Sequence, residues 1–157
     1  MSSLNLKRAK KKDAELIYKW ANDPEVRINA VNKEAIIFEN HLGWFNKKVI
    51  SDETFIFIGY LDEIPVGQIR FDKNITDWQI DYSIDNNHRG KGLGKEIVLE
   101  GMKKMKELFK INLKFTAFVK VNNIASIKVF RNLNYVQLSN SIIEDSEYCN
   151  FSISIDN

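Results

Sequence analysis

The sequence predicts one mixed α/β domain, on three observations. Its 157 residues suit a single hydrophobic core and are too few for two ordinary domains. Segments rich in β-formers, residues 54–60, 64–71 and 78–84, follow one another closely in the middle of the chain, and more lie in the tail. Between and around them run stretches with helical periodicity, one of which directly follows a polar, glycine-rich loop.

Taken in order, residues 4–8 read as a short strand. Asp13 is placed to cap a helix whose Leu16, Ile17 and Trp20 share a face, and Asn22-Asp23-Pro24 ends that helix. A second helix is expected to start after Asn32, because Phe38, Leu42, Phe45 and Val49 recur along one helical stripe. The period then changes. Residues 54–60 and 64–71 form a hairpin through the short Leu61-Asp62-Glu63 connection, and 78–84 supplies a third strand. The glycine loop leads into a helix with Leu93, Ile97, Gly101, Met105 and Leu108 on one side and lysines on the other. Residues 115–119 read as a strand, 123–133 as a helix, and 135–138 and 147–155 as two more strands. Phe151, Ile153 and Ile155 alternate there with Ser152, Ser154 and Asp156.

Composition excludes several classes. With 44% hydrophobic residues and two prolines the chain is globular rather than disordered. Lysine and arginine number 23 against 21 acidic residues, a net charge of +2, which gives no electrostatic case for a nucleic-acid or membrane partner. The run Lys7-Arg8 to Lys10-Lys11-Lys12 is interrupted by Asp13 and Glu15 and reads as a solvated connection. Cys149 is the only cysteine, so no internal disulfide and no cysteine-based zinc site is expected, and no metal is assigned. No apolar run approaches the ~20 residues of a membrane span. Met1-Ser2-Ser3-Leu4 lacks a signal-peptide layout, so a soluble, cytoplasmic protein is expected.

The chemistry is concentrated in Arg89-Gly90-Lys91-Gly92-Leu93-Gly94-Lys95. Glycines admit backbone conformations closed to other residues and let amide N–H groups approach a ligand. The helix that starts there directs its unpaired N–H groups and positive dipole end at the loop, an arrangement suited to an anion such as pyrophosphate. Arg89, Lys91 and Lys95 add positive charge. The spacing fits neither a Walker loop, since Gly94-Lys95 is followed by Glu96, nor the Gly-x-Gly-x-x-Gly dinucleotide fingerprint.

Arg89, Gly92 and Gly94 match the acyl-CoA motif (Arg/Gln)-x-x-Gly-x-(Gly/Ala) of the GNAT superfamily of N-acetyltransferases, which this segment resembles. Downstream, Asn123-Ile124-Ala125-Ser126-Ile127-Lys128-Val129-Phe130 to Tyr135 resembles the family's second motif, at the expected separation. The resemblance covers nearly the whole chain. It implies a seven-stranded, mostly antiparallel mixed sheet flanked by about four helices and splayed between the fourth and fifth strands. Acetyl-CoA, the acetyl donor, would lie in the opening. Backbone groups of Tyr82, Ser83 and Ile84 would meet the pantetheine, the loop from Arg89 to Lys95 the pyrophosphate, and Asn123 the pantetheine, with Ser126 and Phe130 also among the cofactor contacts.

The sequence departs from the family at two places of chemical weight. The family's usual general acid is a tyrosine where Phe130 stands, so the thiolate is protonated elsewhere, leaves unaided, or the chain is a non-catalytic acyl-CoA-binding module. Gln79 stands where many members carry a glutamate, which leaves Asp81, on the same strand face, as the candidate catalytic base, directly or through water. The commoner role of such a residue is that of an ordinary solvent-exposed or hydrogen-bonded strand aspartate, and Asp81 reads first as that.

The acceptor side is read from residues 20–44. Trp20-Ala21-Asn22-Asp23-Pro24-Glu25-Val26-Arg27, with Asn32, His41 and Trp44, resembles the branch acetylating nucleotide-linked amino sugars of the pseudaminic-acid type in surface-glycan synthesis. Asn22, Arg27, His41 and Arg70 are the candidate acceptor contacts, with Arg27 or Arg70 meeting a nucleotide diphosphate. Trp20 aligns with Leu16 and reads as core, and a lone histidine such as His41 also reads as structural. The expected partner is a small-molecule primary amine, with protein N-terminal or lysine acetylation as the competing activity and a homodimer left open.

Overall fold

The computed structural model describes residues 3–157; Met1 and Ser2, the start of the segment read as carrying no leader, lie outside them. The strands are β1 Asn5–Arg8, β2 Thr54–Leu61, β3 Ile64–Lys73, β4 Trp78–Ile84, β5 Leu113–Lys120, β6 Val136–Ile143 and β7 Ser146–Ile155. The helices are α1 Ala14–Ala21, α2 Pro24–Asn29, α3 Phe38–Lys48, α4 Leu93–Phe109 and α5 Ile124–Asn132. The strands form one seven-stranded sheet in the order β1-β2-β3-β4-β5-β7-β6, antiparallel everywhere except between β4 and β5.

Five helices replace the four expected. Asn22-Asp23-Pro24 ends α1, as predicted, and also starts α2: the Asp23 carboxylate accepts the Glu25 N–H at 2.9 Å and Pro24 occupies the first helical position. The next helix does not begin after Asn32. The Asn22 side chain holds the backbone of Ile36, accepting its N–H at 2.9 Å and donating to its carbonyl at 3.2 Å, and α3 starts only at Phe38. Asp13 does not cap α1 either. Its carboxylate turns back to accept the Lys10 N–H at 2.8 Å, closing the short 3-10 turn Lys11–Asp13.

Two hairpins turn on paired residues of positive φ, the backbone of a two-residue type I′ loop. Asp62 and Glu63 (φ 48° and 68°) join β2 to β3 as expected. Glu144 and Asp145 (φ 49° and 65°) join β6 to β7, so β6 extends to Ile143, well past the strand end expected at residue 138. A register shift between Leu138 and Ser141 accommodates the polar Ser139-Asn140 stretch.

The sheet is covered on both faces, which is why β2 is buried without alternation from Thr54 to Tyr60's neighbour Gly59. On one face α4 and α5 pack through Ile97, Val98, Met105 and Phe130 onto Phe57, Phe71, Phe115 and Phe151. Gly101 permits that approach, since a Cβ there would stand 2.9 Å from Ile69 Cδ1. On the other face α1 and α3 place Ile17, Trp20 and Phe45 against Ile56 and Ile58. This second core does not extend over β4 and β5. Those strands pair only at Trp78 with Phe115 and Gln79 with Thr116, after which they part. The result is the expected splay, with the far edge of β4 unpaired from Ile80 onward.

Candidate active site

At the end of β4 the chain turns through Asp85, a buried carboxylate. It accepts the Asn87 N–H at 2.9 Å, approaches His88 Nδ1 at 3.4 Å and receives the Trp20 indole N–H at 2.8 Å. Burial alone would raise its pKa, but these hydrogen bonds and the charge of Lys19 hold it below the ordinary carboxylate value. Trp20 is buried, as its periodicity predicted, and it also ties α1 to the head of the glycine loop.

Gly90 and Gly92 both have φ +77°, the left-handed region that favours glycine, and Gly92 caps α4. No heavy atom lies within 4 Å of where a Cβ would stand on either residue. The loop is therefore open at the N-terminus of a 17-residue helix, whose unpaired N–H groups and positive dipole end suit an anion. Lys91 and Lys95 are exposed beside it. Arg89 behaves differently from expectation. Its guanidinium pairs with Asp23 and Glu25 of the α2 start, each at 3.1 Å, and its Nε donates to the Ile84 carbonyl at 3.1 Å. Its charge is spent on holding the loop against α2.

Tyr82 links the elements around the opening. Its hydroxyl shares a 2.8 Å hydrogen bond with Ser126 on α5, and a Cβ on Gly94 would stand 3.3 Å from its ring. Burial pushes the Tyr82 phenol up to about 12, a nearby Asp81 adds to the rise, and the Ser126 bond opposes it. Asn123 caps α5 by accepting the Ser126 N–H at 3.3 Å. Ser83 is buried, with its hydroxyl accepting from Gln68 Nε2 at 3.2 Å. Leu93 is core. Phe130, expected among the cofactor contacts, is instead buried: at 2% exposure it stacks on Phe151 and meets Tyr82 and Tyr135 edge-on. Its ring is part of the core, and an aromatic there is worth more as packing than as a cofactor contact.

On the opposite sheet face, where the second core stops, β3 and β4 carry a polar ladder. Arg70 lies across from Asp81 and Gln68 across from Ser83. Arg70 Nε pairs with Asp72 at 2.7 Å, its NH1 lies 3.8 Å from Asp81, and the guanidinium sits over the Trp44 ring. Asp81 remains 57% exposed at the opening, with Gln68 Nε2 at 3.4 Å. Of the four expected acceptor contacts, three are committed to the fold. Asn22 holds Ile36. Arg27 donates to the carbonyls of Ala21, Asn32 and Glu34, pinning residues 30–37. His41, only 3% exposed, donates from Nε2 to the Ala14 carbonyl at 3.1 Å and stacks on Phe45, and burial lowers its pKa. Arg70 alone borders the opening, neutralised by two aspartates.

Lys120, which the sequence reading passed over by ending its strand at Val119, lies on the same face at the end of β5. It is 8% exposed and its Nζ reaches across to the Ile28 carbonyl of α2 at 3.1 Å. The signal was there: Lys120 alternates with Phe118 and Thr116, opposite in phase to buried Val119, Ala117 and Phe115.

A splayed parallel pair inside an antiparallel sheet, with a glycine cradle at the end of one strand, defines an acyl-CoA-dependent transferase. The chain matches the acetyltransferase (GNAT) domain family over residues 3–136, and it belongs to that family. It is an acetyltransferase that takes its acetyl group from acetyl-CoA and passes it to an amine. It is 28% identical over 127 residues to the acetyltransferase PseH of Campylobacter jejuni subsp. jejuni serotype O:23/36 (strain 81-176), covering 81% of this chain and 79% of that protein. Its fold matches spermidine N-acetyltransferase from Vibrio cholerae, solved with CoA and spermine, with a TM-score of 0.86 at 14% identity over 96% and 95% of the two chains. It also matches yncA from Salmonella typhimurium, described as a putative acetyltransferase with its cofactor acetyl-CoA, with a TM-score of 0.78 at 15% identity over 98% and 95%. Among the described residues no helix is long and apolar enough to cross a membrane.

Proposed function

We propose that the acceptor is the primary amine of a nucleotide-linked amino sugar and that Asp81 receives its proton. The observation that carries this reading is Asp81 itself, an exposed carboxylate on the acceptor face of β4 at the opening, oriented by Arg70 and Gln68. The likeness to PseH over most of both chains and the resemblance of residues 20–44 to the amino-sugar branch support the acceptor class. When bound, acetyl-CoA supplies an activated acyl carbon and a thiol leaving group. The cradle of Gly90, Gly92 and the α4 N-terminus, with Lys91 and Lys95, would hold its pyrophosphate, and the unpaired edge of Tyr82 to Ile84 its pantetheine. The protein's own contribution is then to align the amine and remove its proton, since only the neutral amine attacks. Position 130 is a phenylalanine with no proton to give, so the departing thiolate takes its proton from solvent.

The test is thiol release from acetyl-CoA with nucleotide-amino-sugars, aminoglycosides, polyamines and peptides. Turnover should favour the nucleotide-amino-sugars at least tenfold in kcat/KM. The Asp81→Asn variant should lose on the order of 10²-fold in kcat while binding acetyl-CoA as tightly as before. Preferential turnover of peptides would replace this reading with protein acetylation, and acetyl-CoA binding without any turnover would make the chain a binding module.

A further inference from the structure

Lys120 is an anomaly among the cations of this chain. A buried ammonium ordinarily has a carboxylate partner, because desolvating an unpaired charge is costly. Lys120 has only the Ile28 carbonyl, and among the described residues no ion pair is formed by it. Burial and the like charge of Lys33 both lower its pKa. It lines a pocket of about 750 Å³ that runs from α2 across the end of β5 to the β6–β7 turn. Lys33, Asn29, Asn122 and Asn123 also line this pocket, and so do Asp145 and Glu147 of the turn region, the latter already accepting from Asn140 Nδ2 at 2.9 Å. Two ammonium groups of like sign, with amide side chains around them, stand where an incoming anion relieves both the repulsion and the missing partner. The arginines expected to take that anion, Arg27 and Arg70, are occupied by backbone carbonyls and by aspartates.

We infer that the pocket between α2, the end of β5 and the β6–β7 turn is an anion subsite in which Lys120 and Lys33 hold the diphosphate of the acceptor. The inference rests on the nucleotide-linked acceptor proposed above, whose diphosphate this subsite would hold on the acceptor side of the β4–β5 opening. Its site is distinct from the glycine cradle on α4, so the two can be occupied together. A diphosphate there would release Lys120 from Ile28 or share it, and would reward acceptors carrying a negative group over polycationic ones.

The experiment titrates uridine diphosphate into protein saturated with CoA, which fills the glycine cradle and leaves the second site to the probe. Binding of one equivalent is expected. Lys120→Met and Lys33→Gln should each weaken it at least fivefold, with acetyl-CoA affinity unchanged. Lys33→Gln decides the matter if the buried substitution unfolds the protein. No binding of uridine diphosphate to the CoA-saturated wild type, or a loss of less than fivefold in every folded variant, overturns the inference. Uridine diphosphate binding that the lysine variants weaken, with no turnover of nucleotide-amino-sugars, would keep the subsite and remove the proposed acceptor, a separate result.

Discussion

The two sides of the β4–β5 opening are built by different means. The side proposed for the donor is a backbone device: two glycines at positive φ, a helix N-terminus and an unpaired strand edge. The side proposed for the acceptor is a side-chain device, in which Arg70, Asp81, Trp44 and Lys120 come from four different elements. A backbone device depends on local sequence and tolerates changes in nearby side chains. A side-chain device depends on who meets whom, so residues with suitable chemistry, such as Asn22, Arg27 and His41, are taken up by the fold itself.

The largest effect should follow from breaking the donor side at its backbone. Gly92→Val forces a β-branched residue to φ +77°, at a cost of about 1–3 kcal/mol, and the loop is expected to relax out of shape. Calorimetric titration should show acetyl-CoA binding weakened tenfold or more, and an unchanged affinity would detach this loop from the cofactor. Replacing Gly92 by alanine should give a smaller loss in the same direction.

The tie between the two sides is next. Asp85→Asn keeps an acceptor for the Trp20 indole but removes the charge that His88 and Lys19 favour, and a cost of about 1 kcal/mol at neutral pH is expected. The folded-state pKa of Asp85 lies below the ordinary 3.8. Its stabilisation is therefore present above pH 3.8 and is lost as the pH falls through the lower folded value. Thermal melts from pH 7 to pH 3 should show the gap in Tm between wild type and variant closing below about pH 4. A gap independent of pH would mean that the carboxylate charge contributes nothing.

Arg89 should give the smallest change and sharpen the comparison most. Because its guanidinium faces Asp23 and Glu25, Arg89→Gln is expected to weaken acetyl-CoA binding by roughly threefold through loosening of the loop, the scale of a partly exposed ion pair. The salt dependence of binding should keep its slope. A slope reduced by a full charge would show that Arg89 meets the phosphates directly.

Much of this was legible beforehand because it is local. The alternation of Phe151, Ile153 and Ile155, the stripe of α4 and the glycine spacing each follow from the period of one element. The misreadings share a cause. Pro24 was a stop signal that is also a start signal, and only Asp23's bond to Glu25 shows which. Residues 30–37 have helical company but are held by Asn22 and Arg27 instead. Phe130 occupies a motif position whose neighbours Tyr135 and Phe151 draw it into the core.

By itself the sequence determined the order of the strands, four of the five helices, the family and the glycine loop at the start of α4. These follow from φ preferences and hydrophobic period, which act over a few residues. Only the tertiary structure decided which polar groups remain for the acceptor. Whether Arg27, His41, Arg70 or Lys120 is free to meet a ligand depends on partners 2 to 92 residues away, and burial decides the rest, because a desolvated charge must find a counterpart in the fold or in the substrate.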